Sequence, residues 1–238
     1  MKSVFITGAD RGLGLSLCKE FLNRGWKVFA TKYMEDYSFL ENLQQENPNL
    51  HILKLDMGSA ESISAAAKSV SEKTAYLDMI ISNAALMEKV SCSLYEPPMD
   101  LEAVWRAFSV NAQGPVLLTK AFLPLMGGMK RLCYVSSEVS CITLMKNRYN
   151  DTFSYPMSKA AMNMGVRILH NDLYPQGYTF RLFHPGWMKF RLADGSLAEE
   201  GKYDPDFIGE IAAKYFEAPL HDENRLVMVD YDGYEWPY

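Results

Sequence analysis

Short apolar runs alternate with segments of helical spacing along most of the chain. The runs cover positions 3–7, 27–31, 51–55, 78–82, 132–136 and 179–183, and a last one covers 225–229. Several are apolar at successive positions, as in Met79-Ile80-Ile81, which is typical of parallel strands buried on both faces. The segments between them repeat apolar residues every three or four positions, as at Leu13, Leu17 and Phe21. The pattern predicts an α/β fold of the Rossmann type, a doubly wound, mostly parallel sheet of seven strands with helices on both faces.

Composition fits one globular domain over residues 1–238. Apolar residues make up 48% of the chain and charged residues 22%, and no linker or repeat divides it. The net charge is −5 and no basic run is present, so nucleic acid and anionic membrane surfaces are poor partners. The first residues are apolar too briefly for a signal peptide or a membrane span.

Cysteine and histidine spacing gives no sign of a metal site. No CxxC pair occurs, and the four histidines are scattered. We therefore expect reduced thiols, no metal and a cytoplasmic location. The cysteines are Cys18, Cys92, Cys133 and Cys141.

A glycine-rich turn lies between the first strand and the first helix. Gly8, Gly12 and Gly14 allow a sharp turn and a close approach of the backbone to a ligand. The following helix offers free N–H groups and a positive dipole end, which suit a pyrophosphate. Any tight strand–helix turn can use glycines, but in this architecture the position favours nucleotide binding.

The end of the second strand bears on the choice of cofactor. NAD binding calls for an acidic residue there, but the chain has Thr31-Lys32-Tyr33 and no acid before Glu35. Lys32, together with Arg11 from the glycine turn, favours the 2′-phosphate of NADP(H) over NAD(H). The alternative is that Lys32 is a solvated surface charge. Asp56, after the third strand, is a candidate for the adenine amino group or for the cap of a helix beginning near Ser59.

Tyr155 and Lys159 are four residues apart at the start of a predicted helix, and so lie on one face. At ~4 Å and an effective dielectric constant of ~20, an ammonium stabilises a phenolate by roughly 4 kcal/mol. That corresponds to about three pKa units, enough to bring a phenol near neutral pH. Such a pair can exchange a proton with a substrate oxygen. An ordinary packing role for the tyrosine is the alternative.

These motifs, with Asn83, Asn111 and Ser136-Ser137, stand in the order that resembles the short-chain dehydrogenase/reductase family. The resemblance covers nearly the whole chain, and the ending 229–237 is similar to the carbonyl-reductase and C-factor-like branch. It implies that Tyr155 is the general acid and base and that Lys159 assists it and holds the nicotinamide ribose. It also implies that Ser137, with Ser136 as the alternative, polarises a carbonyl.

The resemblance further implies that Asn111 anchors a water in a proton relay to Lys159, with local hydrogen bonding within the helix as the alternative. Asn83 is expected to stabilise the central sheet more than to touch substrate. The implied cofactor-binding residues are Gly8, Asp10, Arg11, Gly12, Leu13, Gly14, Lys32, Asp56, Met57, Asn83, Ala84, Tyr155, Lys159, Pro185 and Gly186.

Two residues depart from the family pattern. Ala85 stands where a glycine is usual, and would crowd the cofactor if the backbone there needs glycine-like angles. Phe190 stands where a threonine hydroxyl usually meets the nicotinamide carboxamide. Residues 187–203 are expected to form a substrate lid with an apolar wall from Trp187, Met188 and Phe190, while Arg191 meets an anion or solvent.

The helix after Tyr155 is apolar or small almost all round, which indicates burial on two sides. One side covers the sheet. The other is expected to meet a second copy in a homodimer or homotetramer, and burial within one chain is the alternative.

The sequence thus favours an NADP(H)-dependent carbonyl reductase or alcohol dehydrogenase. Its substrate is expected to be a small-molecule carbonyl or alcohol, and the residue types suggest a medium-sized apolar carbonyl. A cofactor-binding sensor or signalling protein with little catalysis is the first alternative, motivated by Ala85, Phe190 and the C-factor-like ending. A methyltransferase is disfavoured, because it has no use for Tyr155 and Lys159 and calls for an acid after the second strand.

Overall fold

The computed structural model describes residues 1–87, 100–145 and 153–238, and contains one sheet. The strand order is β3-β2-β1-β4-β5-β6-β7-β8, and every neighbouring pair is parallel except β7 and β8. The reversal of order between β1 and β4 confirms the doubly wound α/β prediction. The strands are β1 (Ser3–Ile6), β2 (Lys27–Lys32), β3 (Leu50–Lys54), β4 (Leu77–Ser82), β5 (Met126–Val135), β6 (Thr179–His184), β7 (Met228–Asp230) and β8 (Glu235–Trp236).

Helices cover the sheet on both faces. They are α1 (Gly12–Asn23), α2 (Phe39–Glu46), α3 (Ala60–Ser71), α4 (Leu101–Phe108), α5 (Gly114–Phe122), α6 (Ser154–Leu173) and α7 (Pro205–Glu217). Side chains of α3, α5 and α6 fill one apolar core, and those of α1, α2 and α7 fill the other. Strands β1 and β4 are buried at every position, as their continuous apolar runs predict.

The prediction of seven strands was wrong by one, because β8 pairs antiparallel with β7. Strand β7 also begins at Met228, later than the predicted run. Asp230 organises the hairpin, since its carboxylate accepts from the backbone N–H of Asp232 and Tyr234 and from the indole N–H of Trp236, all at 2.9 Å. The signal was Asp232-Gly233, a turn pair between two short apolar segments.

A π-helical turn, Ser109–Gln113, joins α4 to α5. We expect Asn111 to lie within a helix, and the chain does run on helically from α4 into α5. The extra residue in the π turn was not foreseen. Such turns are frequent at functional sites, and this one contains the fully buried Asn111.

Helix α6 presents two different faces. Met162 and Val166 are buried against the sheet, while Met164 is 63% exposed and Ile168 54% exposed. The alternative that both sides of the helix are covered within one chain is therefore wrong.

Other sequence predictions concern metals, membranes and cysteines. No helix in the part of the chain that is described is long and apolar enough to cross a membrane. Within 1–87, 100–145 and 153–238, no group of three acidic, histidine or cysteine side chains could hold a metal. Cys18, Cys133 and Cys141 are free and buried, and Cys92 lies outside the described residues.

Candidate functional site

The predicted site residues lie at the carboxyl ends of the parallel strands, where open α/β sheets bind ligands. The glycine turn follows β1, Lys32 ends β2, Asp56 follows β3 and Asn83 follows β4. Ser136 and Ser137 follow β5, and Pro185 and Gly186 follow β6. Helix α6 brings Tyr155 and Lys159 to the same edge.

The glycine turn has the conformation that its residues predict. Gly8 and Gly12 have φ of 64° and 57°, a region that favours glycine. A Cβ on Gly14 would stand 2.2 Å from the Gly8 carbonyl oxygen, whereas one on Gly12 would meet nothing within 4 Å. No side chain caps the start of α1. The first N–H groups of α1 therefore remain available to an anion, and the space beside Gly12 is unoccupied by other protein atoms.

Asn83 holds the glycine turn against β4. Its side-chain amide donates to the carbonyl oxygens of Thr7 at 2.9 Å and Gly8 at 3.0 Å. The backbone N–H groups of Asn83 and Ala84 both donate to the Thr7 hydroxyl at 3.0 Å. These contacts join β1 to β4 below the site.

The Leu13 and Met57 side chains are buried in the core, so only their backbones can face a ligand.

Acidic groups surround the end of β2, although none is adjacent in sequence. The Asp10 carboxylate, 7% exposed, accepts from the backbone N–H of Tyr33 and Met34 at 2.8 Å. Lys32 is buried and its ammonium lies 2.6 Å from the Glu41 carboxylate, which raises the pKa of Lys32. Lys32 is thus neither a solvated charge nor an unpaired one. Sequence reasoning missed Glu41, whose only signal is its place in the first turn of α2.

Arg11 keeps its charge without a carboxylate partner in the described part of the chain. Its Nη1 donates to the Tyr37 hydroxyl at 2.7 Å. Its Cζ lies 5.0 Å from the centre of the Tyr37 ring and 5.6 Å from that of Phe190. Aromatic rings hold such a cation without neutralising it.

Asp56 was a candidate either for the adenine amino group or for the cap of α3, and the structure gives the cap to another residue. Ser59 caps α3 by accepting from the Ser62 N–H at 3.1 Å. Asp56 instead accepts from the Gly58 N–H at 2.8 Å, so the helix-cap alternative is wrong. The carboxylate is half-buried at the carboxyl end of β3.

Lys159 lies one turn after the half-buried Tyr155, with its Nζ 5.8 Å from the centre of the tyrosine ring. The Lys159 side chain is 2% exposed, and Nζ donates to the Val135 carbonyl at 2.9 Å. Burial lowers the pKa of Lys159 to about 8. At neutral pH it is still mostly an ammonium, so it is a buried cation close to a phenol.

Asn111, in the π turn, connects the loop after β4 to helix α6. Its side chain accepts from the Leu86 N–H at 2.7 Å and donates to the Leu86 carbonyl at 2.8 Å and to the Ser158 hydroxyl at 3.0 Å. Ser158, fully buried beside Lys159, donates in turn to the Tyr155 carbonyl at 2.8 Å. Asn111 therefore bonds to segments distant in sequence, and the alternative that its side chain bonds locally within its own helix is wrong. Ser158 was missed, and its signal is its place between Tyr155 and Lys159.

The two serines after β5 face different surroundings. Ser136 is buried, and its hydroxyl donates to the Asn163 side-chain oxygen at 2.8 Å. Ser137 is only half-buried, and its hydroxyl accepts a 3.5 Å contact from the Val139 N–H. The Ser136 hydroxyl is therefore already used in a hydrogen bond to α6. Ser137 is the one whose hydroxyl remains available.

His184 is a further residue that sequence reasoning missed. It ends β6, is 5% exposed, and its Nδ1 accepts from the backbone N–H of Glu138 at 3.3 Å and of Gly186 at 3.4 Å. Burial lowers its pKa to about 4, so the ring stays neutral and can accept. Gly186 has φ of 75°, and a Cβ there would stand 2.7 Å from the Tyr231 ring. Histidine and glycine together hold the loops after β5 and β6 in place.

The departures from the family pattern have local explanations. Ala85 is exposed, and Lys130 is the one non-glycine residue among those described with positive φ, so glycine-like angles are not needed at Ala85. Phe190 faces Arg11. Arg191 pairs with Asp206 at 3.1 Å, so it is not directed to solvent.

The expected apolar wall of the lid is only partly present. Trp187 is 65% exposed, whereas Met188 packs against the core of α1, α2 and α7.

Comparison with protein families places the chain among known enzymes. Residues 2–200 match the family model of short chain dehydrogenases. An uncharacterised oxidoreductase of Schizosaccharomyces pombe is 30% identical over 100% of this chain and 98% of its own length. The C-signal protein of Myxococcus xanthus is 36% identical over 49% of this chain and 68% of its own length.

Solved structures share the whole fold. The NADPH-bound carbonyl reductase from chicken fatty liver has a TM-score of 0.83 and 27% identity, over 100% of this chain and 99% of that one. The carbonyl reductase Sniffer of Drosophila melanogaster has a TM-score of 0.85 and 26% identity, over 100% of both chains.

Proposed function

Since this chain belongs to the short-chain dehydrogenase family, we propose that it transfers a hydride between NADP(H) and a carbonyl or alcohol substrate. Tyr155 is the general acid and base in this proposal. The observation that carries it is the buried cation of Lys159, one helical turn from Tyr155 at the carboxyl edge of the sheet. A buried charge beside a phenol, at the edge of the sheet where open α/β folds bind ligands, is a reason to assign function there.

The donor groups present fit a dinucleotide. The uncapped start of α1 suits the pyrophosphate, and Arg11 suits a 2′-phosphate. The Asp56 carboxylate suits the adenine amino group. The loop of Pro185 and Gly186 would border the nicotinamide, and Lys159 would hold its ribose. When bound, the cofactor supplies or accepts the hydride.

Tyr155 would donate its proton to the carbonyl oxygen during reduction and take it back during oxidation. The Lys159 ammonium stabilises negative charge on the tyrosine oxygen, more strongly than in water because it is buried. Ser137 would donate a hydrogen bond to the same substrate oxygen and stabilise the charge that develops there. Ser136 is less suited, because its hydroxyl already donates a hydrogen bond to the Asn163 side-chain oxygen.

Asn111 would support the proton path to Lys159. Both N–H groups of its side-chain amide are used by Leu86 and Ser158, which fixes the turn of α6 that carries Tyr155 and Lys159. A water of the predicted relay would therefore be held by an oxygen of Asn111, and would complete the return of the proton from solvent.

Preference for NADP(H) rests chiefly on Arg11, because Glu41 offsets the charge of Lys32. The structures that resemble this chain include a carbonyl reductase with NADPH and a short-chain dehydrogenase of Burkholderia multivorans with NADP. We extend this preference to the present chain, together with a small carbonyl substrate, a cytoplasmic location and a homo-oligomer formed through α6.

A sensor with little catalysis is the second candidate, favoured by the likeness to C-signal over half of the chain. It has less support, because Ala85 imposes no strain and no member of the Asn111, Ser137, Tyr155 and Lys159 set is missing.

The test is turnover of a panel of aldehydes and ketones with NADPH and with NADH, beside fluorescence titration of both nucleotides. Tyr155→Phe should reduce kcat by about 100- to 10,000-fold and leave the Kd for NADPH nearly unchanged. Tyr174→Phe, directly after the last residue of the same helix, is the matched control and should retain activity.

Turnover retained by Tyr155→Phe would remove the acid–base assignment. Saturable NADPH binding without turnover of any carbonyl or alcohol would favour the sensor. Failure to bind either nucleotide would overturn the proposed function as a whole.

A further inference from the structure

Phe190, in the lid of residues 187–203, contacts the glycine turn at the nucleotide end of the site. Its ring centre lies 5.6 Å from Cζ of Arg11, within the range of a cation–π contact. Tyr37 contacts the same guanidinium through its ring and its hydroxyl. One ring from the lid and one from the segment after β2 therefore both contact the Arg11 guanidinium.

The backbone of Gly195 also lies near this region. A Cβ on Gly195 would lie 3.8 Å from the Phe39 ring at the start of α2. The lid is fixed at its base, because Arg191 pairs with Asp206 at 3.1 Å and donates to the Gly195 carbonyl at 3.1 Å. The lid thus reaches from the loop after β6 to the start of α2.

The charge of Arg11 is fixed in place but not neutralised. Lys32 lies nearby and is paired with Glu41, whereas the described residues offer Arg11 no carboxylate. Apart from the N–H that donates to the Tyr37 hydroxyl, the guanidinium keeps N–H groups for the oxygens of a phosphate. Removing one ring would leave the charge but loosen its orientation.

We infer that Phe190 is a positioning residue for NADPH, which holds Arg11 ready for the 2′-phosphate and makes the lid part of the discrimination between NADPH and NADH. The inference rests on the proposed function. It gives a role to a side chain that cannot bond to the nicotinamide carboxamide. In this chain the lid supports the adenosine end of the cofactor.

The test measures Kd for NADPH, NADH and adenosine 2′,5′-bisphosphate by titration of wild type, Phe190→Ala, Phe190→Tyr and Leu192→Ala. Phe190→Ala should weaken NADPH and the bisphosphate by about 3- to 20-fold and change NADH by less than about twofold. Phe190→Tyr keeps the ring and should restore the wild-type ratio. Leu192→Ala removes another exposed apolar lid residue and should leave the ratio unchanged.

Equal weakening of NADPH and NADH by Phe190→Ala, or no weakening of either, would overturn the inference and leave the proposed function standing. Equal affinity of the wild type for NADPH and NADH would show that Arg11 does not bind the 2′-phosphate, and would overturn the inference about Phe190. If wild type binds neither nucleotide, the proposed function fails first and the inference falls with it.

Discussion

The Nδ1 atom of His184 accepts the backbone N–H of Glu138 at 3.3 Å, which joins the end of β6 to the loop that carries Ser137. The same atom accepts from Gly186, in the loop proposed to face the nicotinamide. One neutral ring thus sets the spacing between the two loops on either side of the proposed reaction centre. Trp236 packs edge-on against that ring, with 5.5 Å between centres, so β8 supports the arrangement from behind.

His184→Phe should therefore reduce the free energy of unfolding by about 1–3 kcal/mol, because two N–H groups lose their acceptor. His184→Asn offers a side-chain oxygen close to the position of Nδ1 and should lose less. Urea unfolding of the two variants beside wild type checks this. An equal loss in both would mean that packing against Trp236, and not the acceptor, is what matters.

Lys159 should make stability rise with pH above neutrality. Burial lowers the pKa of Lys159 from 10.5 to about 8, so between these values the unfolded chain retains a proton that the folded chain has released. Unfolding free energy then increases with pH over this window, by about 3 kcal/mol from this one group. We expect Lys159→Met to lack that increase, since it has no charge to bury.

The measurement is the difference in unfolding free energy between wild type and Lys159→Met at intervals from pH 8 to 10.5. Both proteins should also carry Tyr155→Phe, because the Lys159 charge acts on that phenol and its titration would otherwise differ between them. Groups distant from Lys159 then contribute equally to both proteins and cancel. A difference that stays constant with pH would show that the ammonium of Lys159 is not desolvated.

Glu41→Gln should strengthen the preference for NADPH. The substitution removes the carboxylate that lies 2.6 Å from the Lys32 ammonium, so a second cation becomes available beside Arg11. We expect the ratio of the NADH Kd to the NADPH Kd to increase by about three- to tenfold at low salt. Glu46→Gln, an exposed position at the other end of α2, makes the same change in net charge and serves as the control. Equal shifts in both variants would point to net charge alone.

The exposed face of α6 should be an interface between copies of this chain. Ile168→Glu places a charge where the apolar surface is 54% exposed, and should shift the molecule to a monomer in sedimentation experiments. Phe207→Glu changes a residue of similar exposure, 55%, on α7 at the opposite face of the sheet, and should not. A wild-type chain that is monomeric at micromolar concentration would contradict this.

The sequence was sufficient for features that local periodicity encodes. Consecutive apolar residues such as Met79-Ile80-Ile81 require cover on both faces, and this requirement predicts a parallel sheet without knowledge of its neighbours. The four-residue spacing of Tyr155 and Lys159 likewise brings them together as soon as the helix forms.

Contacts between distant segments could not be foreseen in this way. The pairing of Lys32 with Glu41, the capping of the β2 turn by Asp10 and the placement of Phe190 on Arg11 all depend on how loops cross the edge of the sheet. Each changes the electrostatics of the site. The prediction that Arg11 and Lys32 together face the ribose was accordingly too simple, because Lys32 is paired with the Glu41 carboxylate.

The π turn at Ser109–Gln113 makes the number of residues in this helix as important as their identity. A π turn contains one residue more than an α turn, so deleting a single residue here would let the helix become regular. The resulting helix would be better hydrogen-bonded, yet Asn111 would rotate away from Leu86 and Ser158. Selection on this segment should therefore act against one-residue deletions even where every substitution in the surrounding turns is tolerated.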